Sequence, residues 1–388
     1  MKIEDLYKEH FETSLKGRYI TKDHIYPLLE IYKNHFQISV AGTSEMDRDI
    51  SLIKVGNGKK IVLGWSQMHG NESTTTKAIF DFLRFISQKD FFQKEIAKFL
   101  NTYSFYVLPI LNPDGAKLYT RENVNGVDLN RDAQNLSQKE SQCLRKLFDE
   151  LQPEFCLNLH DQRSIYGFEN GKPSSVSFLS PAADKKRTVT SSRKVAMEKI
   201  VKMNNLLQKY IPGKVGRYDD SFNEACVGDT FQKAGVPTIL FEAGHCDGDY
   251  HREETRKYIF YSLLSFFDII KTRLEKISYE DYFIIPENRK NYNDFILRNV
   301  KLKDEKGLTS VAIQYQEILK NETIVFEPFI DEIGALKSKF GYLEKNAQGA
   351  EILTNSQDTL TVGDNISEMI DKNAKLMFFF QKINPNIG

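Results

Sequence analysis

"KKIVLGWSQMHGNESTTTKAIFDFLRFISQ", residues 59–88, decides the fold class. Its first part is a short Val/Ile/Leu run. Its last part places Ile79, Phe82, Leu83 and Ile86 at helical spacing. A buried strand feeding directly into an amphipathic helix is the building unit of an α/β sheet. Between the two stand His69 and Glu72, three residues apart at the mouth of the strand. A lone His-x-x-Glu is common by chance, so its meaning depends on what else the chain brings to that end of the sheet.

The alternation continues outward. "YSFYVLPILNP" (103–113) predicts a strand ending in an Asn-Pro turn. "SQKESQCLRKLFDEL" (137–151) predicts a helix with Leu144, Leu147, Phe148 and Leu151 on one face, and "EFCLNLHD" (154–161) a buried strand. "TRKYIFYSLLSFFDII" (255–270) closes the series as an apolar helix. Strands alternating with helices from Phe36 to about Ile270 predict an α/β domain, a mostly parallel mixed sheet flanked by helices. The pattern changes after "IIPENRKNYND" (284–294). "DFILRNVKL", "TSVAIQYQEIL", "ETIVFEPFI" and "AKLMFFFQKI" are β-rich, and "DNISEMIDKN" (364–373) predicts a helix. Residues 1–285 therefore read as the main domain, and 290–388 as a small C-terminal β-rich accessory domain, either one that packs beside it and narrows its cleft or a dimerisation or solubility module. "FFF" at 378–380 fits a core or interface strand better than a membrane or stacking platform.

Composition narrows the function classes. Hydrophobic residues make up 40% and charged residues 27% of the 388, as in an ordinary globular protein. Lys+Arg and Asp+Glu both total 53, so no global charge draws the chain to nucleic acid or anionic membrane. No run approaches the ~18 apolar residues of a membrane span. The N-terminal stretch does not read as a secretory leader. Cys143, Cys156, Cys226 and Cys246 show no paired spacing, which suits reduced thiols in a cytoplasmic protein.

Four pieces of chemistry fall at predicted strand ends, where open α/β sheets bind ligands. His69 and Glu72 are the first and His160, ending "FCLNLH", the second. Two imidazoles and one carboxylate make a three-ligand zinc set with a fourth position open, the pattern of a catalytic rather than a structural site. One Zn2+ per chain is expected. The third piece, "NPDGAKLYTRENVNGVDLNRD" (112–132), concentrates Arg121, Asp128, Asn130 and Arg131. The fourth is Glu242 in "GVPTILFEAGH" (235–245), a carboxylate able to take a proton from an attacking water and return it to a leaving amine. Taken singly, each residue is better explained as packing, a helix-start acid or a surface ion-pair former. Together, at four strand ends, coincidence becomes the minority explanation.

With these motifs assembled, the sequence resembles the zinc metallocarboxypeptidases of the carboxypeptidase A-like family. The resemblance runs from "RYITKDHIYPLLEIY" through "GTSEMDRDISLIKVGNGKKIVLGWSQMHGNE", "NPDG", "GVDLNR" and "LNLH" to "ILFEAG", nearly all of residues 18–270. It implies that His69, Glu72 and His160 ligate zinc and that Glu242 is the general base and acid. It implies that Arg121 polarises the scissile carbonyl, that Asn130 and Arg131 grip a terminal carboxylate, and that Asp128 orients the first zinc histidine. A guanidinium suits the carboxylate grip because its planar fork bonds both oxygens at once.

The sequence departs from the family in places. The Glu72–His160 interval is short beside the digestive enzymes. Tyr218 is the nearest match to the family's mobile tyrosine, and a loop tyrosine packing locally explains it as well. Asp219, Asp220 and Asp229 read either as a preference for amine-bearing substrates or as solvated turn acids. His245 and His251 read as supporting or surface residues. The resemblance implies hydrolysis of an amide beside a free carboxylate, with a carboxypeptidase acting on short peptides ranked first. An N-acyl amino acid deacylase of the aspartoacylase or succinylglutamate desuccinylase kind ranks second. A non-catalytic peptide-binding protein ranks last, since base and ligands are all present. No nucleic-acid or membrane partner is expected.

Overall fold

The computed structural model describes residues 3–88, 91–271, 276–303, 307–354, 359–371 and 377–379. By their contacts the residues fall into two units, one of 1–162 with 174–288 and the other of 163–173 with 289–388.

The first unit is built on an eight-stranded sheet of β1 (Gln37–Thr43), β2 (Asp49–Val55), β3 (Lys60–Ser66), β4 (Tyr103–Leu108), β5 (Phe155–Asp161), β6 (Val176–Leu179), β7 (Val215–Arg217) and β8 (Thr238–Ala243). Their spatial order is β1-β2-β4-β3-β5-β8-β6-β7. The central four, β4-β3-β5-β8, are parallel, with antiparallel pairings toward both edges. The mixed, mostly parallel centre matches the expectation from the alternating pattern.

Those central strands are apolar on both faces because helices cover both. Val62, Phe105, Leu157 and Phe241 face the core shared with helices Thr74–Gln88, Ser191–Leu207 and Glu253–Phe266. Leu63, Trp65 and Cys156 face the core shared with Lys139–Leu151 and Val227–Lys233. Side-chain alternation puts His160 on the Cys156 face, and the in-register pair His160–Glu242 puts Glu242 there too. Each fully buried Leu, Val or Phe contributes about 1.5–3 kcal/mol against exposure.

The second unit has a four-stranded sheet of β9 (Tyr292–Lys301), β10 (Leu308–Lys320), β11 (Thr323–Gly334) and β12 (Phe340–Asn346), in the order β11-β10-β9-β12. Phe295, Leu297, Val311, Ile313, Ile330 and Met369 form its core. A three-stranded sheet joins Ile352–Thr354, Glu368–Asp371 and Met377–Phe379. Over 364–371 the expected helix is therefore not formed, and residues 372–373 of that stretch lie outside the described residues. Met369 is fully buried and its strand pairs with Ile352–Thr354, so tertiary pairing overrides local propensity. Of "FFF", Phe378 and Phe379 lie in that sheet's last strand, and Phe380 lies outside the described residues.

The eleven residues Arg163–Pro173 count with this second unit. Tyr166–Gly167 pairs with Arg289–Lys290, and Tyr292 N–H donates to Ile165 O at 3.1 Å. The chain thus leaves the first unit after Gln162, returns at Ser174 and leaves again after Asn288. Those three residues are tied together. Gln162 Nε2 donates to Ser174 O at 2.7 Å, Asn288 Nδ2 to Gln162 Oε1 at 3.0 Å, and Ser174 Oγ to Asn288 Oδ1 at 2.9 Å.

Candidate metal centre

Three segments converge on the carboxyl ends of β3 and β5. The turn after β3 carries His69 and Glu72, and its path is fixed by a neighbouring backbone. A Cβ on Gly70 would stand 1.9 Å from the carbonyl carbon of Gly115, in the "NPDG" segment. That segment is itself a short helix, Pro113–Leu118, with Pro at its first position and the Asn112 side chain accepting Gly115 N–H at 2.8 Å. The "HGNE" and "NPDG" motifs hold each other through contacts only glycine permits.

His69, Glu72 and His160 are all buried, and their ligating atoms lie within 4.8 Å of one another. His69 Nδ1 is 2.8 Å from Glu72 Oε1, His160 Nδ1 is 2.8 Å from Glu72 Oε2, and the two Nδ1 atoms are 3.1 Å apart. Two nitrogens bound to one tetrahedral zinc stand about 3.3 Å apart, so the spacing fits a shared ion. The outer partner of His69 fits as well. Its Nε2 lies 3.0 Å from Asp128 Oδ1, which places the proton there and leaves the Nδ1 lone pair facing Glu72 and His160. The same Asp128 oxygen accepts Asn130 N–H at 2.9 Å and so caps the short helix Leu129–Arg131. The donor set, its inward lone pair and its supporting carboxylate suit one zinc ion.

Charge follows this geometry. Burial opposes ionisation of Glu72, but His69 and His160 outweigh it and hold the carboxyl well below its usual range. Burial likewise disfavours the Asp128 carboxylate, and His69, Arg121 and Arg131 overcome it. Glu242 differs. Burial first, then the negative Glu72 and Asp161, push its carboxyl well above the usual range, with Arg121 acting against them. A carboxyl with that raised affinity is suited to accepting a proton near neutral pH.

Arg121 is brought to the group. Its Nε and Nη2 donate to Asp128 Oδ2 at 3.1 and 3.0 Å, and its Nη1 lies 3.4 Å from Glu72 Oε1. Asn130 faces the loop before the helix Val227–Lys233, its Oδ1 accepting Val227 N–H at 3.2 Å. Arg131 is exposed, with Nη1 on Asn130 O at 2.9 Å. Tyr218 follows β7, the edge strand three places from β5, and its amide donates to Phe178 O at 3.1 Å.

The neighbouring acids are already engaged. Asp220 pairs with Arg193 at 2.5 Å and Arg187 at 3.2 Å, and Asp219 pairs with Arg187 at 3.1 Å. Asp229 is buried and accepts Asn223 N–H at 3.3 Å. His245 is buried, and His251 contributes its carbonyl to Lys77 Nζ at 2.8 Å. Sequence reasoning missed two residues beside the centre, Asp161 and Arg18. Asp161 N–H donates to Glu72 Oε2 at 3.1 Å, and Arg18 Nη1 pairs with Asp161 Oδ2 at 2.5 Å. The acid directly after His160 was a signal for the first; the second opens the stretch "RYITKDHIYPLLEIY", which carries no sign of its role.

Comparisons with known proteins point to a family likeness and a fold. The sequence model of the family described as zinc carboxypeptidase matches residues 23–206. Carboxypeptidase E of Caenorhabditis elegans is 37% identical over 82 residues, which span 18% of this chain and 17% of that protein. Among solved structures, a metallo-carboxypeptidase from Burkholderia cenocepacia superposes with a TM-score of 0.52 at 14% identity, over 64% of this chain and 69% of that one. A metallo-carboxypeptidase from Pseudomonas aeruginosa, solved with (2-guanidinoethylmercapto)succinic acid, gives 0.50 at 16% identity, over 64% and 70%. At such identities the structures speak for the fold. The family match spans His69, Glu72, Arg121, Asp128, Asn130, Arg131 and His160, while Glu242 and Tyr218 lie beyond it. Residues 23–206, just under half of this chain, are similar to the zinc carboxypeptidase family.

Proposed function

We propose that the protein is a zinc-dependent hydrolase that cleaves an amide bond beside a free carboxylate, acting as a carboxypeptidase on short peptides. The observation that carries the reading is the buried His69–Glu72–His160 donor set with Arg121 against it and Glu242 on the same sheet face as His160. When bound, zinc supplies Lewis acidity and lets water act as a nucleophile near neutral pH.

The chain's own residues supply the rest. Arg131 and Asn130 hold the terminal carboxylate and so set which amide is presented. Arg121 turns from Glu72 and Asp128 toward the carbonyl oxygen, where a guanidinium aimed at developing negative charge lowers the barrier by several kcal/mol. Glu242 takes a proton from the attacking water and delivers it to the nitrogen of the leaving amine, so the amine departs neutral. Tyr218 is proposed to line the substrate's path. The four free cysteines support a reducing compartment, and we place the protein in the cytoplasm. Among the described residues, no helix is long and apolar enough to cross a membrane.

A panel of short peptides and N-acyl amino acids tests the reading. Release of the C-terminal residue from peptides, faster than deacylation of any N-acyl amino acid, is expected. The reverse order assigns the same groups to an N-acyl amino acid deacylase. No turnover of either class by zinc-loaded protein contradicts both.

A further inference from the structure

We infer that Arg18 is a positioning residue for the metal centre, a clamp that sets the spacing of Glu72 and His160; the inference rests on the zinc-site reading above. The ligands come from two segments about ninety positions apart, the turn after β3 and the end of β5. Arg18 belongs to neither, and it precedes the residues that match the family. It is 5% exposed, and its guanidinium touches both segments. Nη1 donates to Asp161 Oδ2 at 2.5 Å and to Thr74 Oγ1 at 2.6 Å, and Nη2 donates to Asn71 O at 3.3 Å. Ser73 Oγ returns a bond to Arg18 O at 2.5 Å.

The fork therefore spans residues on both sides of Glu72 and the residue directly after His160. Thr74 closes the loop, its N–H and Oγ donating to Asp161 Oδ2 at 3.0 and 2.6 Å. Asp161 in turn reaches Glu72, since its N–H donates to Glu72 Oε2 at 3.1 Å. A planar guanidinium does this where an ammonium cannot, because its donors point along fixed, diverging directions. Without it the two segments keep their strands and the direct Thr74–Asp161 and Asp161–Glu72 bonds, but lose the guanidinium that braces those bonds from the side. Partners that orient metal ligands are worth about 10–100-fold in metal affinity.

The test is zinc affinity of the apo-protein, measured by competition with a chelator, in Arg18→Met, Arg18→Lys and Thr74→Val. Arg18→Met should bind one zinc about 10–100-fold more weakly than the parent, with Arg18→Lys and Thr74→Val between the two. Arg256→Met serves as control, because it breaks a fully buried ion pair with Asp81 at 2.6 Å that no metal ligand touches. That control should lose thermal stability and keep the parent's zinc affinity. Parent-like affinity in all three clamp variants, with stability lost as in the control, overturns the clamp. If Arg18→Met does not fold, Arg18→Lys and Thr74→Val decide on the same criterion. His160→Ala is run alongside to separate the two readings. Zinc kept at full affinity there overturns the site assignment, whereas zinc lost there with clamp variants unaffected overturns the clamp alone.

Discussion

Glu242 shares a sheet face with His160 because β5 and β8 are parallel and in register. Glu242→Gln keeps the side chain's volume and removes its capacity to accept a proton. We expect unchanged zinc content and turnover lower by about 100-fold or more. Steady-state kinetics with metal analysis checks this, and a kcat near the parent's removes Glu242 from the mechanism. Asp229 makes a different statement, about stability. Burial, ahead of any partner, pushes its carboxyl up to about 6, against about 3.9 in an unfolded chain. The native state therefore holds this proton more tightly than the unfolded state does. Stability falls as pH rises between those values, and the cost is fully present above the upper one. Asp229→Asn should accordingly be more stable than the parent at pH 7, by roughly 1–3 kcal/mol, with the gap closing near pH ~4. Chemical denaturation across that range measures it; a parent more stable at neutral pH would mean that Arg131 and Arg193 already compensate the charge. His69, Glu72, His160 and Glu242 were legible as strand-end residues of the right chemistry. Arg18 was not, because its role exists only through partners more than fifty positions away.

The turn after β3 is where sequence motif and backbone geometry meet. Gly70 is present because Gly115 passes against it, and Asn112 and Pro113 start the helix that presents Gly115. Gly70→Ala forces the two backbones apart, so it should cost about 1–3 kcal/mol or more and weaken zinc binding together with stability. Gly307→Ala is the comparison, since a Cβ there meets nothing within 4 Å. Thermal unfolding and zinc content of both variants test this, and a Gly70→Ala protein indistinguishable from the parent would mean that the contact is soft. Strands β3 and β5 were readable because they are buried on both faces and hence continuously apolar. The stretch 364–371 misled because its polar residues satisfy a helical pattern, while burial of Met369 and pairing with Ile352–Thr354 decide its state. Arg163–Pro173 was invisible for a related reason. Its partners Arg289–Lys290 and Tyr292 lie beyond position 288, and pairing of that range leaves no local periodicity.

The division into two units bears on any dissection of the chain. Cutting after Asn288 removes the strands that Arg163–Pro173 joins and leaves that segment, with Phe168, without them. We expect this truncation to unfold less cooperatively than one in which 163–173 is also replaced by a short Gly/Ser linker. Such a linker has little to span, since Gln162 Nε2 already contacts Ser174 O at 2.7 Å. Calorimetry and zinc content of the two products decide the matter, and identical behaviour would show that the segment does not depend on the second unit. The activity proposed for the whole protein depends on an amide presented by its neighbouring carboxylate. The most direct measurement is mass-spectrometric release of the C-terminal residue from one short peptide, prepared with a free and with an amidated C-terminus. We predict release from the free acid and a rate lower by at least about 100-fold for the amide, since a buried or bidentate charge pairing is lost. Equal rates on the two peptides would contradict it.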